Sequence, residues 1–355
     1  MNCKKGAANV ALMADHHLGY AVPIGGVVAY RNKVSPSGVG YDIACGNKAV
    51  RLDANVEDVK KNIPGIMDAI FASISFGVGR SNKERVSHAL FEDDPAWDIQ
   101  VARSMKDLAR QQLGTVGSGN HFVDVFEDEN NAIWVGAHFG SRGLGHKLAT
   151  HFLKAAGGRD GMNVDPVTLE VESQLGKEYI ACMNLAGRYA YAGRDWVCSK
   201  VASIMGAEIV EEIHNHHNFA WKEKHFGQDV IVHRKGATPA GVGVLGIIPG
   251  SMASPAFVVR GKGKEESMKS ASHGAGRVMS RTQALRTFSW DDVKQQLDKA
   301  GVTLLSSGLD EVPGVYKNIH EVMDFQRDLV EILATFHPRL VKMAPPEGRG
   351  RKRRK

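Results

Sequence analysis

A glycine-rich segment at residues 35–46 constrains this chain more than any other stretch. Its sequence is Ser-Pro-Ser-Gly-Val-Gly-Tyr-Asp-Ile-Ala-Cys-Gly, and the proline and glycines predict a tight loop rather than the interior of a helix or strand. Asp42 and Cys45 lie three residues apart, flanked by glycines that let the backbone approach a ligand closely. Together they can bind one metal ion, and the thiolate can bridge two. A buried structural cysteine in a turn explains the loop alone equally well.

The histidines shift the balance toward a metal site. His121, His138 and His273 each lie beside glycine at the end of a predicted strand, and His217 belongs to another histidine cluster. Imidazole is the commonest metal ligand in proteins, and thiolate, carboxylate and imidazole together suit zinc or manganese-like divalent ions. The cysteine–histidine spacings are irregular and exclude a zinc-finger pattern. Ligands from distant loops therefore favour a catalytic site over a structural one.

A second feature is a dispersed set of cations near glycine, namely Arg142, Lys235, Arg277 and Arg281. Arginine forks and glycine-flanked amides bind phosphate oxygens well, although solvated surface charge explains any one of these residues alone. The chain has neither a Walker A sequence nor a Lys-x-Asp-Gly nucleotidyl-lysine motif. A nucleotide would have to be bound in another way.

The length of 355 residues is enough for a large core. We expect one domain over residues 1–343 and a basic, disordered tail over residues 344–355. Residues 349–355 hold six basic side chains, so the formal charge of +6 leaves a body without net charge. Four scattered cysteines, no signal-peptide pattern and no run of ~18 apolar residues predict a reduced, cytoplasmic protein without a membrane span.

Hydrophobic periodicity predicts an α+β fold, with mixed sheets and flanking helices. The expected helices include residues 97–113, two helices within 168–205, a helix at 290–299 capped by Ser289, and a final amphipathic helix at 322–336. The expected strands include residues 22–30, 49–52, 133–139, 230–235, 256–260 and 338–343, with a loop at 247–252.

Eight motifs in series resemble the RtcB-type RNA ligases, which are GTP-dependent RNA-splicing ligases. The resemblance spans roughly residues 11–342, and it implies a single RtcB-like domain around a central cleft. The motifs are residues 23–26, 35–46, 117–122, 140–146, 217–218, 233–237, 248–252 and 272–281.

The resemblance implies a role for individual residues. Cys45 would bridge two Mn²⁺ ions, with Asp42 and His121 completing one ligand set, and His138 and His217 the other. His273 would be the guanylylated nucleophile, and Asn120 would contact the GTP phosphates and the second metal. The remaining GTP contacts would be Asp124, Ser251, Gly274, Ala275, Gly276, Tyr316 and Lys342, and the RNA phosphate site would consist of Arg142, Lys235 and Arg281.

The implied reaction joins an RNA 3′-phosphate or 2′,3′-cyclic phosphate to a 5′-hydroxyl in RNA repair or tRNA splicing. Asp124 stands where the family usually has a glutamate, and the resemblance begins only about a dozen residues into the chain. These departures leave open a metal-dependent RNA-end phosphatase or cyclic phosphodiesterase that has lost GTP transfer. A non-catalytic RNA-binding module that uses the basic tail is the other alternative. The need for an activating protein partner stays open.

Overall fold

The computed structural model describes residues 4–159 and 161–345, so the predicted disorder of the tail from residue 346 onward lies outside it. The strands are β1 (Asn9–His17), β2 (Ile24–Tyr30), β3 (Lys33–Val34), β4 (Gly46–Leu52), β5 (Phe122–Asp128), β6 (Ile133–Phe139), β7 (Leu169–Glu170), β8 (Ile209–His216), β9 (Asn218–His225), β10 (Gln228–Lys235), β11 (Ala237–Pro239), β12 (Leu245–Pro249), β13 (Ala256–Gly261), β14 (Ser270–Ser272), β15 (Thr303–Ser306) and β16 (Val330–Met343). The α-helices are α1 (Pro36–Val39), α2 (Val56–Lys61), α3 (Ile63–Ser73), α4 (Leu90–Asp93), α5 (Gln100–Arg103), α6 (Lys106–Gln112), α7 (Arg142–Ala155), α8 (Gln174–Met205), α9 (Arg281–Thr287), α10 (Trp290–Ala300) and α11 (Ile319–Asp324).

A large mixed sheet forms the centre of the molecule. Its strands follow the order β12-β13-β16-β5-β6-β4-β8, and β15 adds to β16 in parallel. The two ends of the sheet, β12 and β8, pack against each other, so the sheet is nearly closed. A four-stranded antiparallel sheet, β1-β2-β10-β9, lies beside it. The predicted α+β class, with mixed sheets and flanking helices, is confirmed.

The strand directions bring distant loops to one edge of the large sheet. Strands β4, β5, β6 and β8 are antiparallel to their neighbours, so the starts of β4 and β5 meet the ends of β6 and β8. In the register, His138 at the end of β6 pairs with Phe122 at the start of β5 and with Asn47 near the start of β4. Cys45 immediately precedes β4, His121 precedes β5, and His217 follows β8.

Helix α8 crosses behind the large sheet and carries much of the core. It runs without a break for 32 residues, from the Ser173 cap to Gly206 in the left-handed conformation. The prediction of two helices in this region is therefore wrong, because its apolar face stays continuous against β4, β6 and α7. Cys182 and Cys198 are buried on this helix, as expected.

The largest secondary-structure error lies near the C-terminus. A helix is predicted at residues 322–336, but only its first three residues are helical, at the end of the short α11. The residues from Val330 onward belong to the long strand β16. Pairing with both β13 and β5 overrides the helical periodicity of the segment. The same sheet turns half of the loop predicted at residues 247–252 into β12.

Several local predictions hold. The Ser289 hydroxyl accepts a hydrogen bond from the Asp292 amide and caps α10 as predicted. The closing strand over residues 338–343 is the end of β16. The helix expected over residues 97–113 is instead divided into a 3₁₀ turn, α5 and α6. Among the residues that the structure describes, every helix is too short or too polar to cross a membrane.

Candidate active site

A cavity of about 300 Å³ opens at the sheet edge where these loops converge. It is bordered by the large sheet on one side and by the β1, β10 and β14 ends on the other. The predicted site residues that line it are Asp42, Cys45, Asn120, His121, Asp124, His138, His217, Ser251, His273, Gly274, Ala275, Gly276, Arg281 and Tyr316. The central cleft that the resemblance implies is therefore present.

Five of these side chains form two candidate metal-binding groups that share Cys45. The Cys45 Sγ atom lies 3.3 Å from Nε2 of His138 and 3.5 Å from Nε2 of His121. The Nε2 atoms of His138 and His217 are 3.3 Å apart, and Nε2 of His121 is 2.9 Å from Oδ2 of Asp42. In each group the potential ligand atoms lie within 4.8 Å of one another.

The histidines are held in the form that binds a cation. Burial lowers the pKa of both His138 and His217 well below its ordinary value, so their imidazoles are neutral at neutral pH. The Nδ1 nitrogen of His138 donates to the Asn120 carbonyl oxygen at 3.0 Å. This bond fixes the tautomer and leaves a lone pair on Nε2, directed at the Cys45 sulfur and at His217.

The two acidic ligands respond differently to their surroundings. Burial acts to raise the pKa of Asp42, but the hydrogen bond with His121 and the charge of Arg142 outweigh it, and the pKa falls below its usual value. Burial raises the pKa of the Cys45 thiol well above its usual value, and the Asp42 charge adds to this effect. A bound divalent cation would offset that cost, because metal binding favours the thiolate.

Arg194 supports this cluster from behind, although nothing in its local sequence indicates it. Its guanidinium is fully buried on α8 and donates to the carbonyl oxygens of Ala44, which precedes Cys45, and Phe139, which follows His138. It also donates to Nε2 of His214 at 2.7 Å and to Nδ1 of His216 at 3.0 Å. One side chain therefore ties together the two loop ends that carry the shared sulfur and the central imidazole.

His273 lies beside the metal-binding groups, with its ring centroid 4.7 Å from that of His217. Its Nδ1 nitrogen donates to Oδ2 of Asp15 at 2.7 Å, and the amides of His273 and Gly274 donate to the same oxygen. Asp15 is fully buried, and the sequence analysis missed its role. The only signal was its position at the end of an apolar run. Gly276 has a positive φ and packs against the Asp15 backbone, where a side chain would not fit.

Polar groups suited to a nucleoside line the far end of the cavity. The Tyr316 hydroxyl donates to the buried Glu311 carboxylate, which also pairs with Arg277 at 3.0 Å. Asp124 is buried on β5, and burial raises its pKa well above the usual value. Ser251 exchanges a 2.8 Å hydrogen bond with Ser254 at the cavity wall. The sequence does not predict that Glu311 contacts the cavity residues Tyr316 and Arg277, because no motif surrounds it in the chain.

Lys342 is not brought into the cavity with the other predicted nucleotide contacts. Alternation along β16 directs Val341 and Met343 to the cavity, so the intervening lysine points to the opposite face. There its ammonium lies 4.8 Å from the Phe76 ring centroid and donates to the Ser306 hydroxyl. Desolvation lowers the pKa of Lys342 to about 8.

The three cations predicted to hold an RNA phosphate occupy different surroundings. Arg281 lines the cavity and pairs with Asp310 and Glu311, close to the positive-φ residue Gly119. Arg142 donates to the Thr115 hydroxyl and to the Gly77 carbonyl oxygen. Lys235 donates to the Tyr20 carbonyl oxygen at 2.6 Å. Only Arg281 of the three lines the main cavity in the part of the chain that the structure describes.

Comparison with known proteins identifies the family. The family model described as tRNA-splicing ligase RtcB matches residues 2–343. The chain is 34% identical to the RNA-splicing ligase RtcB of Escherichia coli K12, covering 92% of this chain and 88% of that protein. It is 33% identical to the tRNA-splicing ligase RtcB of Archaeoglobus fulgidus (90% and 86% covered) and 30% identical to that of Thermococcus kodakarensis (94% and 89% covered). The chain therefore belongs to the RtcB family, as the motif series predicts.

Proposed function

We propose that this protein is an RNA ligase that uses GTP to join a 3′-phosphate or 2′,3′-cyclic phosphate end of RNA to a 5′-hydroxyl end. The observation that carries the proposal is the contact between Asp15 and His273 directly beside the shared-cysteine cluster. A nucleophilic imidazole needs a neutral ring of known tautomer, and a phosphoryl-transfer site needs strong positive charge nearby. The hydrogen bond from Nδ1 of His273 to Asp15 supports the required tautomer, and cations bound by the adjacent metal-binding groups would supply the charge.

The donor set fits two divalent cations. Asp42, Cys45 and His121 would hold one ion, and Cys45, His138 and His217 the other, and we propose Mn²⁺ for both. When bound, the ions would supply Lewis-acid stabilisation of phosphoryl oxygens. The neutral imidazoles, with lone pairs converging near the Cys45 sulfur, support this assignment.

In the first step, Nε2 of His273 attacks the α-phosphorus of GTP. A phosphorus–nitrogen bond forms, the bond to the bridging oxygen breaks, and its electron pair leaves with pyrophosphate. Because the Nδ1–H group donates a hydrogen bond to the Asp15 carboxylate, the ring proton stays on Nδ1. Nε2 therefore keeps the lone pair that this attack requires. The carboxylate also stabilises the positive charge that develops on the ring.

In the second step, an oxygen of the RNA 3′-phosphate attacks the guanylyl phosphorus, and the phosphorus–nitrogen bond breaks to return the His273 lone pair. In the third step, the RNA 5′-hydroxyl attacks the activated 3′-phosphorus, loses its proton, and GMP leaves. A 2′,3′-cyclic phosphate would first be opened by water. Arg142, Lys235 and Arg281 are the proposed RNA phosphate contacts: Arg281 lines the cavity, Lys235 lies next to the cavity residue Gly236, and arginine and lysine bind phosphate oxygens well.

The guanine is proposed to bind at the Tyr316 end of the cavity, with Ser251, Asp124 and residues Gly274–Gly276 completing the nucleotide contacts together with Asn120. A carboxylate matches the adjacent donors on N1 and N2 of guanine, and Tyr316 offers an aromatic surface. A contact between Lys342 and the guanine would require the side chain to reach around β16, because its ammonium lies beside Phe76 and Ser306 on the opposite face of the strand.

The decisive test is covalent labelling with α-labelled GTP in the presence of Mn²⁺. The proposal predicts an acid-labile, alkali-stable label on wild-type protein and no label on His273→Ala. The His320→Ala variant is a matched control, because His320 is exposed and outside the cavity. A label of undiminished yield on His273→Ala would refute the assignment.

The shorter carboxylate at Asp124 favours one second candidate, an RNA-end phosphatase or cyclic phosphodiesterase without GTP transfer. Release of phosphate or opening of cyclic ends at saturating GTP, with no joined product and no labelled protein, would establish that alternative.

A further inference from the structure

We infer that the exposed ring of Tyr20, at the rim of a shallow side groove next to the active-site cavity, stacks on an unpaired nucleobase of the RNA substrate. The inference rests on the proposed function and adds a substrate subsite to it. The side groove is formed by the loop after β1, the glycine-rich loop, the end of β10 and helix α7. Its main lining residues are Tyr20, Gly40, Tyr41, Leu153, Arg159 and Lys235.

The side groove adjoins the cavity, because three segments of the chain contribute neighbouring residues to both. His17 lines the cavity and Tyr20 lines the groove three residues later. Asp42 lines the cavity and the adjacent Tyr41 lines the groove, and the adjacent residues Gly236 and Lys235 are divided in the same way. An RNA end whose terminal phosphate reaches the candidate metal site therefore has this groove within reach of its terminal nucleotide.

Two aromatic rings give the groove a surface for stacking. Tyr20 is 53% exposed, which is unusual for a large side chain at the edge of a cavity, and Leu18 beside it is 84% exposed. The Tyr41 ring packs on His146, with centroids 5.3 Å apart and planes inclined by 30°. Every nucleobase has a flat face that stacks on such rings, and stacking tolerates any base sequence.

The charge of the groove favours a nucleic acid over an apolar peptide. Arg159 is exposed, Lys235 lies at the floor, and the described lining residues include no carboxylate. Cations beside aromatic rings are the combination that single-stranded nucleic acids bind, because phosphates and bases alternate along the chain.

The loop that carries Tyr20 is held in place before any ligand binds. The Tyr20 carbonyl oxygen accepts from Lys235 Nζ at 2.6 Å, and the Ala21 amide donates to the Gly161 carbonyl oxygen at 3.1 Å. Ala21 has a φ of 58°, a left-handed conformation that is strained for alanine. These contacts fix the backbone that carries the tyrosine ring, so less backbone entropy is lost on binding.

The test is binding of short, fluorescein-labelled single-stranded RNAs, measured by anisotropy in the presence of Mn²⁺ and without GTP. One RNA ends in a 3′-phosphate and the other in a 5′-hydroxyl, and each is made with an intact or an abasic terminal nucleotide. We compare wild type with Tyr20→Ala, with Tyr20→Phe, which keeps the ring, and with Phe325→Ala as a control for loss of an exposed aromatic side chain elsewhere.

We expect Tyr20→Ala to weaken binding of one intact RNA about tenfold, while Tyr20→Phe and Phe325→Ala bind as wild type does. Removing the base from that RNA should weaken wild-type binding equally and make it insensitive to Tyr20→Ala. The RNA that behaves this way identifies which end supplies the base. Equal binding by wild type and Tyr20→Ala, or the same loss on intact and abasic forms of both RNAs, would overturn the inference. Failure of the wild type to accept label from GTP would instead contradict the proposed function, since this binding assay contains no GTP.

Discussion

The Asp15 carboxylate accepts a 2.7 Å hydrogen bond from the imidazole of His273, a residue 258 positions away in the chain. The same oxygen accepts two backbone amides, so the carboxylate sets both the tautomer of the ring and the turn that carries it.

Asp15→Asn should lower the rate of His273 guanylylation by at least about 100-fold. An asparagine amide can donate to Nδ1, which places the ring proton on Nε2 and removes the nucleophilic lone pair. Single-turnover labelling with GTP measures the rate, and circular dichroism checks the fold. Asp324→Asn, on the surface, is the matched control. An unchanged labelling rate in a folded Asp15→Asn protein would disprove the positioning role.

Removing the shared sulfur should affect metal binding differently from removing one imidazole. Cys45→Ala is expected to abolish tight binding at both candidate sites, because both groups contain Sγ, whereas His217→Ala should leave the Asp42–Cys45–His121 group able to bind. Metal content after dialysis against Mn²⁺ or Co²⁺ measures this. Cys182→Ala, buried on α8 away from the cavity, should retain the wild-type content. Equal metal content in Cys45→Ala and His217→Ala would contradict the shared arrangement.

Arg194→Lys should reduce divalent-metal affinity about tenfold or more. Lysine keeps the positive charge but has no planar fork to reach the Ala44 and Phe139 carbonyl oxygens together. A titration with Co²⁺ that is monitored by the visible absorption of the bound ion reports both the affinity and the ligand geometry. Arg188→Lys lies on the same helix and serves as the control, because Arg188 is about half exposed and pairs only with Asp94 among the partners described. A wild-type cobalt spectrum and affinity in Arg194→Lys would exclude this role.

Asp124→Asn should reduce the preference for GTP over ATP about tenfold or more, since a carboxylate is the better acceptor for the guanine donors. Burial raises the pKa of free Asp124, so GTP binding to the carboxylate form should release a proton and tighten as pH rises. Calorimetry with each nucleotide at several pH values measures both effects. Asp124→Glu keeps the carboxylate and should keep the preference. If Asp124→Asn kept the full preference for GTP over ATP, guanine recognition would lie elsewhere.

Lys342 should make folding stability depend on alkaline pH. Its pKa in the folded state is lowered to about 8, so the unfolded chain binds this proton more tightly, and the free energy of unfolding should rise as pH increases from about 8 to about 10.4. Relative to Lys342→Met, the rise should be about 3 kcal/mol at most. Urea denaturation across this range gives the difference, with Lys299→Met on α10 as the surface control. Parallel pH profiles for wild type and Lys342→Met would show that the ammonium is not desolvated.

Local chemistry explains why much of the site could be predicted. Asp42 and Cys45 lie on one glycine-rich loop, and His121 and His138 lie at the ends of short apolar strands that are recognisable in the sequence. The cap at Ser289 is equally local. By contrast, the segment beginning at Val330 has a helical pattern, and only its two neighbouring strands make it β16. Pairing energy between distant segments is absent from any single stretch.

The sequence by itself determined the residue types of the candidate metal-binding groups, the histidine proposed as nucleophile and the family, because these depend on short motifs in a recognisable order. Only the tertiary structure decided that Asp15 orients His273, that Arg194 ties two loop ends together, and that Lys342 faces away from the cavity. Each of these relationships joins segments far apart in the chain. Their geometry follows from the register of antiparallel strands and the packing of α8, which converge only when the whole core is assembled.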